Sequence, residues 1–360
     1  MTPLIEKHVL GPEHDKFQNV DHLDRFQTLY CAWSSRIVPD ALVEKPAILA
    51  LSNKGGEISL WSYSSSEGIK YQATLRPHEG FVNLVQWTNW QVNGNQHTAY
   101  IASTCTDGTV SLSSVTVHVE VTEEERTNIR SVEVSELESW FKNDRAVPTL
   151  IKVWDDVNDS RVIKIAICKG VQIDAIVIRA TQNSIELEGD WARYRLANSS
   201  MGLGGADWTH DGKILYAYTC EGECLALFIH QNKIECDDRI SSTMNENLLL
   251  KYKQQNMEEE AKLDSEELEF VNDMMPHFWG SAISINDLYT VFAFTLTPTV
   301  DVHYKSESRD DVWIAFTLHQ ERQDEATLDK LCLIYERYLK NSDFRKESAI
   351  SLPKFIVYVI

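Results

Sequence analysis

ILALSNKGGEISLWSY, residues Ile48 to Tyr63, returns in altered form as YIASTCTDGTVSLSSV, residues Tyr100 to Val115. Aligned without a gap, Ala50 falls on Ala102, Gly56 on Gly108, Ile58 on Val110, Ser59 on Ser111 and Leu60 on Leu112. Each copy is two short runs of strand-favouring residues parted by a glycine turn. Self-similarity at this period is the mark of a repeat architecture.

Working outward, the first unit opens as YCAWSS (30–35), breaks between Pro39 and Pro46, and continues past the quoted stretch as IKYQATL. The second opens as FVNLVQWTNW (81–90), loops through QVNGNQH, then follows the same course. A third reads GGADWTHDGKILYAYTCEGECLALFIH (204–230), and a degenerate fourth WGSAISINDLYTVFAFTLTPTVDVHY (279–304), with Ile285 in place of tryptophan. Three further strand-like runs lie between them, over 162–189. Trp33, Trp87 and Trp208 recur at the end of the first strand, and Gly56, Gly108 and Gly222 at the turn, while Trp61 marks the EISLWSY run of the first unit. Four strands per unit at this spacing is the pattern of WD-type β-propeller blades. A β-sandwich with two hairpins alike by chance would not repeat the tryptophans. The expected fold is all-β, a single WD-type β-propeller over residues 1–360, with seven blades, or six as the alternative. The Asp107-Gly108 pair suits a tight hairpin whose central residues take positive φ. The tryptophan rings are expected as core between neighbouring blades. The closing run PKFIVYVI (353–360) is expected to pair with strands from near the N-terminus, removing an exposed sheet edge.

Three segments break the blade rhythm and are read as acidic insertions with helical character. Residues 122–146 are the first. Residues 244–275 are long, without glycine or proline, and rich in helix formers. Residues 321–341 place Leu328, Leu331, Tyr335, Tyr338 and Leu339 at helical spacing, an apolar stripe that packs on the propeller. Within the second segment, Met257, Phe270, Val271, Met274 and Met275 stand on an acidic element and form the candidate partner-binding set. A partly disordered loop is the other reading of that segment.

Composition narrows the function. The 360 residues carry a formal net charge of −20, with acids gathered in EVTEEER (120–126) and MEEEAKLDSEELEF (257–270). Nucleic-acid affinity rests mainly on phosphates neutralised by Lys and Arg, so direct DNA or RNA binding by this chain is disfavoured and basic protein partners are favoured. No run of eighteen apolar residues is present, and the first residues lack the shape of a signal peptide. Seven scattered cysteines suit a reducing compartment.

No sequence constellation of catalysis is found: no phosphate-binding Gly-Lys-Ser loop, no Gly-x-Ser-x-Gly elbow, no His-Glu-x-x-His. Cys220 and Cys224 bracket a predicted hairpin, and zinc needs two such pairs. The glycines of Met201–Ala206 precede no helix and read as room for a strand in a crowded centre. His210 and Asp211 read as turn residues before Gly212. No catalytic residue, metal site or cofactor site is assigned.

The residues YCAWSS, the Pro-bounded loop and ILALSNKGGEISLW resemble the first blade of the WD-propeller subunits of RNA polymerase III transcription factor IIIC (TFIIIC), in its B-block-binding half. FVNLVQWTNW and AYIASTCTDGTVSL resemble the second blade. The resemblance is specific over 28–115 and weaker over 204–230. It implies a non-catalytic nuclear scaffold for tRNA-gene transcription, bound to a second WD propeller subunit and to TATA-binding protein, touching DNA only indirectly. An acidic surface suits a basic partner of that kind. The acetyl-coenzyme A loop ascribed to one branch of the family needs Arg or Gln three positions before Gly202, where this chain has Ser199. That activity is not carried over. The family's larger members carry a further C-terminal domain, so a chain stopping at Ile360 is read as an N-terminal part or a shorter relative. The alternative function is a general WD adaptor: a ubiquitin-ligase substrate receptor, a coat subunit or an acidic reader of peptides or histone tails.

Overall fold

In the computed structural model the structure describes residues 27–37, 46–64, 68–121, 127–142, 144–156, 159, 161–181, 184–197, 202–220, 222–242, 274–283, 289–298, 312–318 and 354–359. Among them the chain forms five sheets. Sheet 1 is β1 (Thr28–Trp33), β2 (Ala47–Asn53), β3 (Ile58–Ser64) and β4 (Gly68–Leu75), paired in chain order. Sheet 2 holds β5 (Val82–Trp87), β6 (Gln91–Asn93), β7 (Gln96–Cys105), β8 (Val110–Val121) and β9 (Thr127–Trp140), in the order β5-β7-β8-β9 with β6 beside β7. Sheet 3 holds β10 (Leu150–Asp155), β11 (Val162–Lys169), β12 (Gln172–Thr181), β13 (Ser184–Leu187) and β14 (Ala192–Arg195). Sheet 4 is β15 (Leu203–Trp208), β16 (Ile214–Thr219), β17 (Cys224–Ile229) and β18 (Ile234–Cys236). Sheet 5 is β19 (Met274–Ile283), β20 (Tyr289–Pro298), β21 (Val312–Leu318) and β22 (Lys354–Val359).

The chain divides into two units. Residues Met1–Arg195 with His230–Lys233 carry sheets 1 to 3, and Leu196–Ile229 with Ile234–Ile360 carry sheets 4 and 5. In the first unit, Ile48, Ala50, Ile58 and Leu60 of sheet 1 pack against Val82, Val85, Ile101 and Val115 of sheet 2. The other face of sheet 2, with Tyr100, Ala102, Val110 and Leu112, packs on Ile163, Ile165, Ile176 and Ile178 of sheet 3. Period-two alternation sends successive side chains to opposite faces, so a strand between two sheets must be apolar on both. Each fully buried Ile or Leu contributes about 2 kcal/mol.

The repeat seen in the sequence is also a repeat of backbone detail. The pairing of first and second strands slips by one residue at Thr28/Tyr30, Val82/Leu84, Leu203/Gly205 and Phe278/Gly280. In each case the skipped residue (Leu29, Asn83, Gly204, Trp279) stands four positions before the strand's last residue (Trp33, Trp87, Trp208, Ile283). Such bulges bend a strand and increase its twist.

The turns follow one plan as well. Cys105 N–H donates to Thr109 O at 2.9 Å and Gly108 N–H to Cys105 O at 3.0 Å. This is a three-residue loop with the glycine in the left-handed region. Gly56, Gly108 and Gly222 have φ of 80°, 93° and 89°. The central-pair expectation for Asp107-Gly108 is corrected, because only the glycine is left-handed.

Three more expectations change. Residues 127–140, read as part of a helical insertion, are strand β9, since VEVSELE alternates and pairing with β8 overrides its helix-forming glutamates. The closing run pairs in parallel with β21, across the long connection a parallel pair requires. The fourth unit's first strand ends at Ile283, two residues before Ile285. Residues 244–273 and 321–341 lie outside the described residues.

Candidate functional site

First strands lie side by side in both units, and polar ties fix their spacing. Trp87 Nε1–H donates to Ala32 O at 3.1 Å, and Trp90 Nε1–H to Ser35 O at 2.8 Å, joining sheet 2 to sheet 1. Val153 N–H donates to Gln86 Oε1 at 3.2 Å, joining sheet 3 to sheet 2. In the second unit Ile283 N–H donates to Asp207 Oδ2 at 3.1 Å. There a Cβ on Gly204 would collide with the backbone of Phe278. The glycines after Met201 are therefore spacers for strand contact.

At one end of sheet 2, the connection from β4 to β5 crosses the β7–β8 turn. A cavity of about 780 Å³ opens there, with Arg76, His78, Glu79, Asp107, Glu136 and Lys142 on its walls. His78 Nε2 lies 2.9 Å from Ser103 Oγ, and Asp107 is close enough to raise the ring's proton affinity. Serine, histidine and aspartate gathered in this way invite a test for nucleophilic catalysis. A triad needs a serine oxygen open to substrate and a carboxylate holding the imidazole Nδ1–H. Ser103 is fully buried, and His78 Nδ1 has no hydrogen-bond partner. Burial lowers the His78 pKa to about 4, so the ring is neutral near pH 7. Asp107 accepts instead from Thr109 N–H at 2.8 Å, closing its own turn. The cluster pins the connection to the sheet.

A second node ties sheets 2 and 3. Lys169 is buried at the end of β11, and its Nζ donates at 2.9 Å to both Gly108 O and Asp144 Oδ2. The same ammonium lies 3.8 Å from the centre of the Phe141 ring. Phe141 has φ of 61°, the one left-handed non-glycine residue among the described residues. Its ring stands 4.7 Å from Trp191. The Lys169 hydrogen bond holds the Asp144 carboxyl below its ordinary range.

Of the candidate partner-binding residues, Met257, Phe270 and Val271 lie outside the described residues. Met274 and Met275 open strand β19, pairing with Pro298 and Thr297, and are not on a helix. The helix-forming composition stops before Pro276, and the aromatic run beyond it takes the strand. Among the signposts, Trp61 and Trp208 are buried and Trp87 is half-buried. Trp33 is corrected: it is 51% exposed, in edge contact with the exposed Tyr63 at 6.3 Å between ring centres. Trp279, at the β19 bulge, is 64% exposed. Both were legible as tryptophans, but nothing in the sequence marks them as surface residues. Trp154, one position before the end of β10, is the sheet 3 counterpart that the reading of 162–189 passed over. Cys224 is buried at the start of β17, and burial raises its thiol pKa.

A protein-family profile, the transcription factor IIIC subunit delta beta-propeller domain, matches residues 11–319. No curated protein sequence matches the chain. Among solved structures, Sqt1 from Chaetomium thermophilum aligns with 10% identity and a TM-score of 0.37. The alignment covers 72% of this chain and 57% of that one, under two thirds of its length.

Proposed function

The chain belongs to the transcription factor IIIC subunit delta β-propeller family, and from that membership we propose that it is a non-catalytic scaffold in the B-block-binding half of the factor. It holds a second propeller subunit and brings initiation factors, TATA-binding protein among them, to tRNA-type genes in the nucleus. The observation that carries this reading is the family match across residues 11–319. The net charge of −20 supports it, because contact with DNA then falls to partners and basic proteins are attracted. In this reading residues 1–360 are one propeller of seven blades, with insertions over 244–273 and 321–341, while 127–140 of the first expected insertion and Met274–Met275 of the second belong to strands β9 and β19. The 244–273 insertion, bearing Met257, Phe270 and Val271, is its docking element.

The test is mild affinity isolation of the tagged protein from nuclear extract, with mass spectrometry of what remains bound. The other TFIIIC subunits, above all a second WD propeller, are expected to be recovered. Deleting 244–273, which leaves strand β19 whole, is expected to reduce that recovery. Cullin-ligase or coat subunits in their place would overturn the proposal.

A further inference from the structure

The last strand of sheet 2 differs from the last strand of every other sheet. β9 runs for 14 residues, against 8 in β4, 4 in each of β13 and β14, 3 in β18 and 6 in β22. It ends the sheet order, so among the described residues no strand pairs with its outer edge. In an antiparallel strand every second residue turns its N–H and C=O away from the paired neighbour. β9 therefore presents a row of open backbone donors and acceptors.

Natural edges are blunted by lysine, proline or bulges. β9 has neither lysine nor proline. It has two irregularities, at His118/Val119 and Leu112/Ser113 in its pairing with β8. Between them Ser131 to Glu136 pair without a slip against His118 to Ser113, leaving a regular window. Val132 and Val134 turn toward the core shared with sheet 1, whereas Ser131, Glu133 and Ser135 are exposed. Glu136 is exposed at the end of the window and stands on the wall of the cavity with Glu79 and Asp107, beside Arg76 and Lys142. Arg130 is the single cation of β9, against Glu133, Glu136 and Glu138.

We propose that the Ser131–Glu136 edge of β9 is a docking site for an extended segment of a partner protein that adds as a further strand and carries a lysine or arginine opposite Glu133. Main-chain hydrogen bonds supply affinity in this mode, and alternate side chains supply selectivity. Glu133 shares its face with the exposed Ser131 and Ser135, where a cation on the added strand lies near enough to pair with it, whereas Glu136 stands on the opposite face with Val132 and Val134. The inference rests on the scaffold reading and names the chemistry of one partner segment.

The test uses the 360-residue protein and an alternating lysine-threonine peptide as long as the window. A second peptide of the same sequence has alternate backbone nitrogens methylated, which keeps the charge and removes donors. Amide hydrogen exchange is expected to slow at alternate residues of Ser131–Glu136 with the first peptide only. The variant Glu133→Lys is expected to bind it about fivefold more weakly, with unchanged unfolding. Equal protection by both peptides, protection confined to other segments, or no loss in the Glu133→Lys variant would overturn the proposal. Any of these results would leave recovery of TFIIIC subunits from nuclear extract untouched, so the two readings fail separately.

Discussion

The ammonium of Lys169 donates to the carbonyl oxygen of Gly108 at 2.9 Å, from a strand 61 residues further along the chain. Through this bond the β7–β8 turn of sheet 2 is fastened to the end of β11 in sheet 3. The turn glycine, the left-handed Phe141 and the carboxylate of Asp144 all depend on the same cation. Replacing it by an apolar chain of similar length, Lys169→Met, leaves two acceptors without their donor. Hydrogen bonds to charged groups contribute about 1.5–3 kcal/mol, and Asp144 recovers part of that from solvent. Loss of about 2 kcal/mol is expected in urea unfolding followed by tryptophan fluorescence. A variant as stable as the parent would show that the node is ornamental.

Gly108 and Gly170 separate two causes of strain. Both are left-handed, with φ of 93° and 58°. A Cβ at 108 would run into the backbone carbonyl of Asp144, whereas at 170 nothing lies within 4 Å. Gly170→Ala should therefore cost only the conformational term, about 1 kcal/mol. Gly108→Ala adds a clash with fixed backbone and should cost clearly more. Equal shifts in the urea midpoint would remove the close-approach explanation.

His78 gives the pH dependence a sign. Burial lowers its pKa from 6.5 to about 4, so the folded state resists a proton that the unfolded chain accepts. Stability attached to this group is complete above pH 6.5, declines as pH falls toward 4, and changes no further below that. The depth is on the order of 3 kcal/mol. In His78→Gln the slope between pH 6.5 and 4 should flatten, leaving the smaller part due to His97, whose pKa burial also lowers. Parallel slopes in parent and variant would place the titration elsewhere.

The repeat was legible because its marks are local: a tryptophan at the last position of β1, β5 and β15, and a glycine where the turn goes left-handed. What stayed hidden depends on partners distant in the chain. β9 reads as helix or strand until β8 pairs with it. The slips at Leu29, Asn83, Gly204 and Trp279 share no residue type, so no sequence pattern announces them. The cavity draws on residues 76–79, 107, 136 and 142, three separate connections and strand β9, and Lys169 reads as an ordinary surface lysine until the fold buries it.

Ser103 offers a chemical check on the non-catalytic reading. Its Oγ is buried and its histidine is not held by a carboxylate. A fluorophosphonate probe, which marks serines open to substrate and activated by a base, should leave Ser103 unlabelled in the folded protein. Labelling at Ser103 that vanishes in His78→Gln would make the cluster catalytic.

Trp33 and Trp61 are the two tryptophans of the first repeat, and the structure gives them opposite roles. Trp61 is 2% exposed, its Nε1–H donates to Ser59 Oγ at 2.9 Å, and its ring meets Tyr71 edge-on at 5.3 Å. Trp33 is half in solvent, and its ring meets that of Tyr63 edge-on at 6.3 Å. Emptying a core tryptophan site forfeits burial and leaves a cavity, so Trp61→Ala should cost about 3–5 kcal/mol. Trp33→Ser gives up one aromatic pair and should cost about 1 kcal/mol. The urea midpoints of the two variants decide it, because a Trp33 that matters as much as Trp61 must be covered in solution by a surface that sheet 1 does not itself supply.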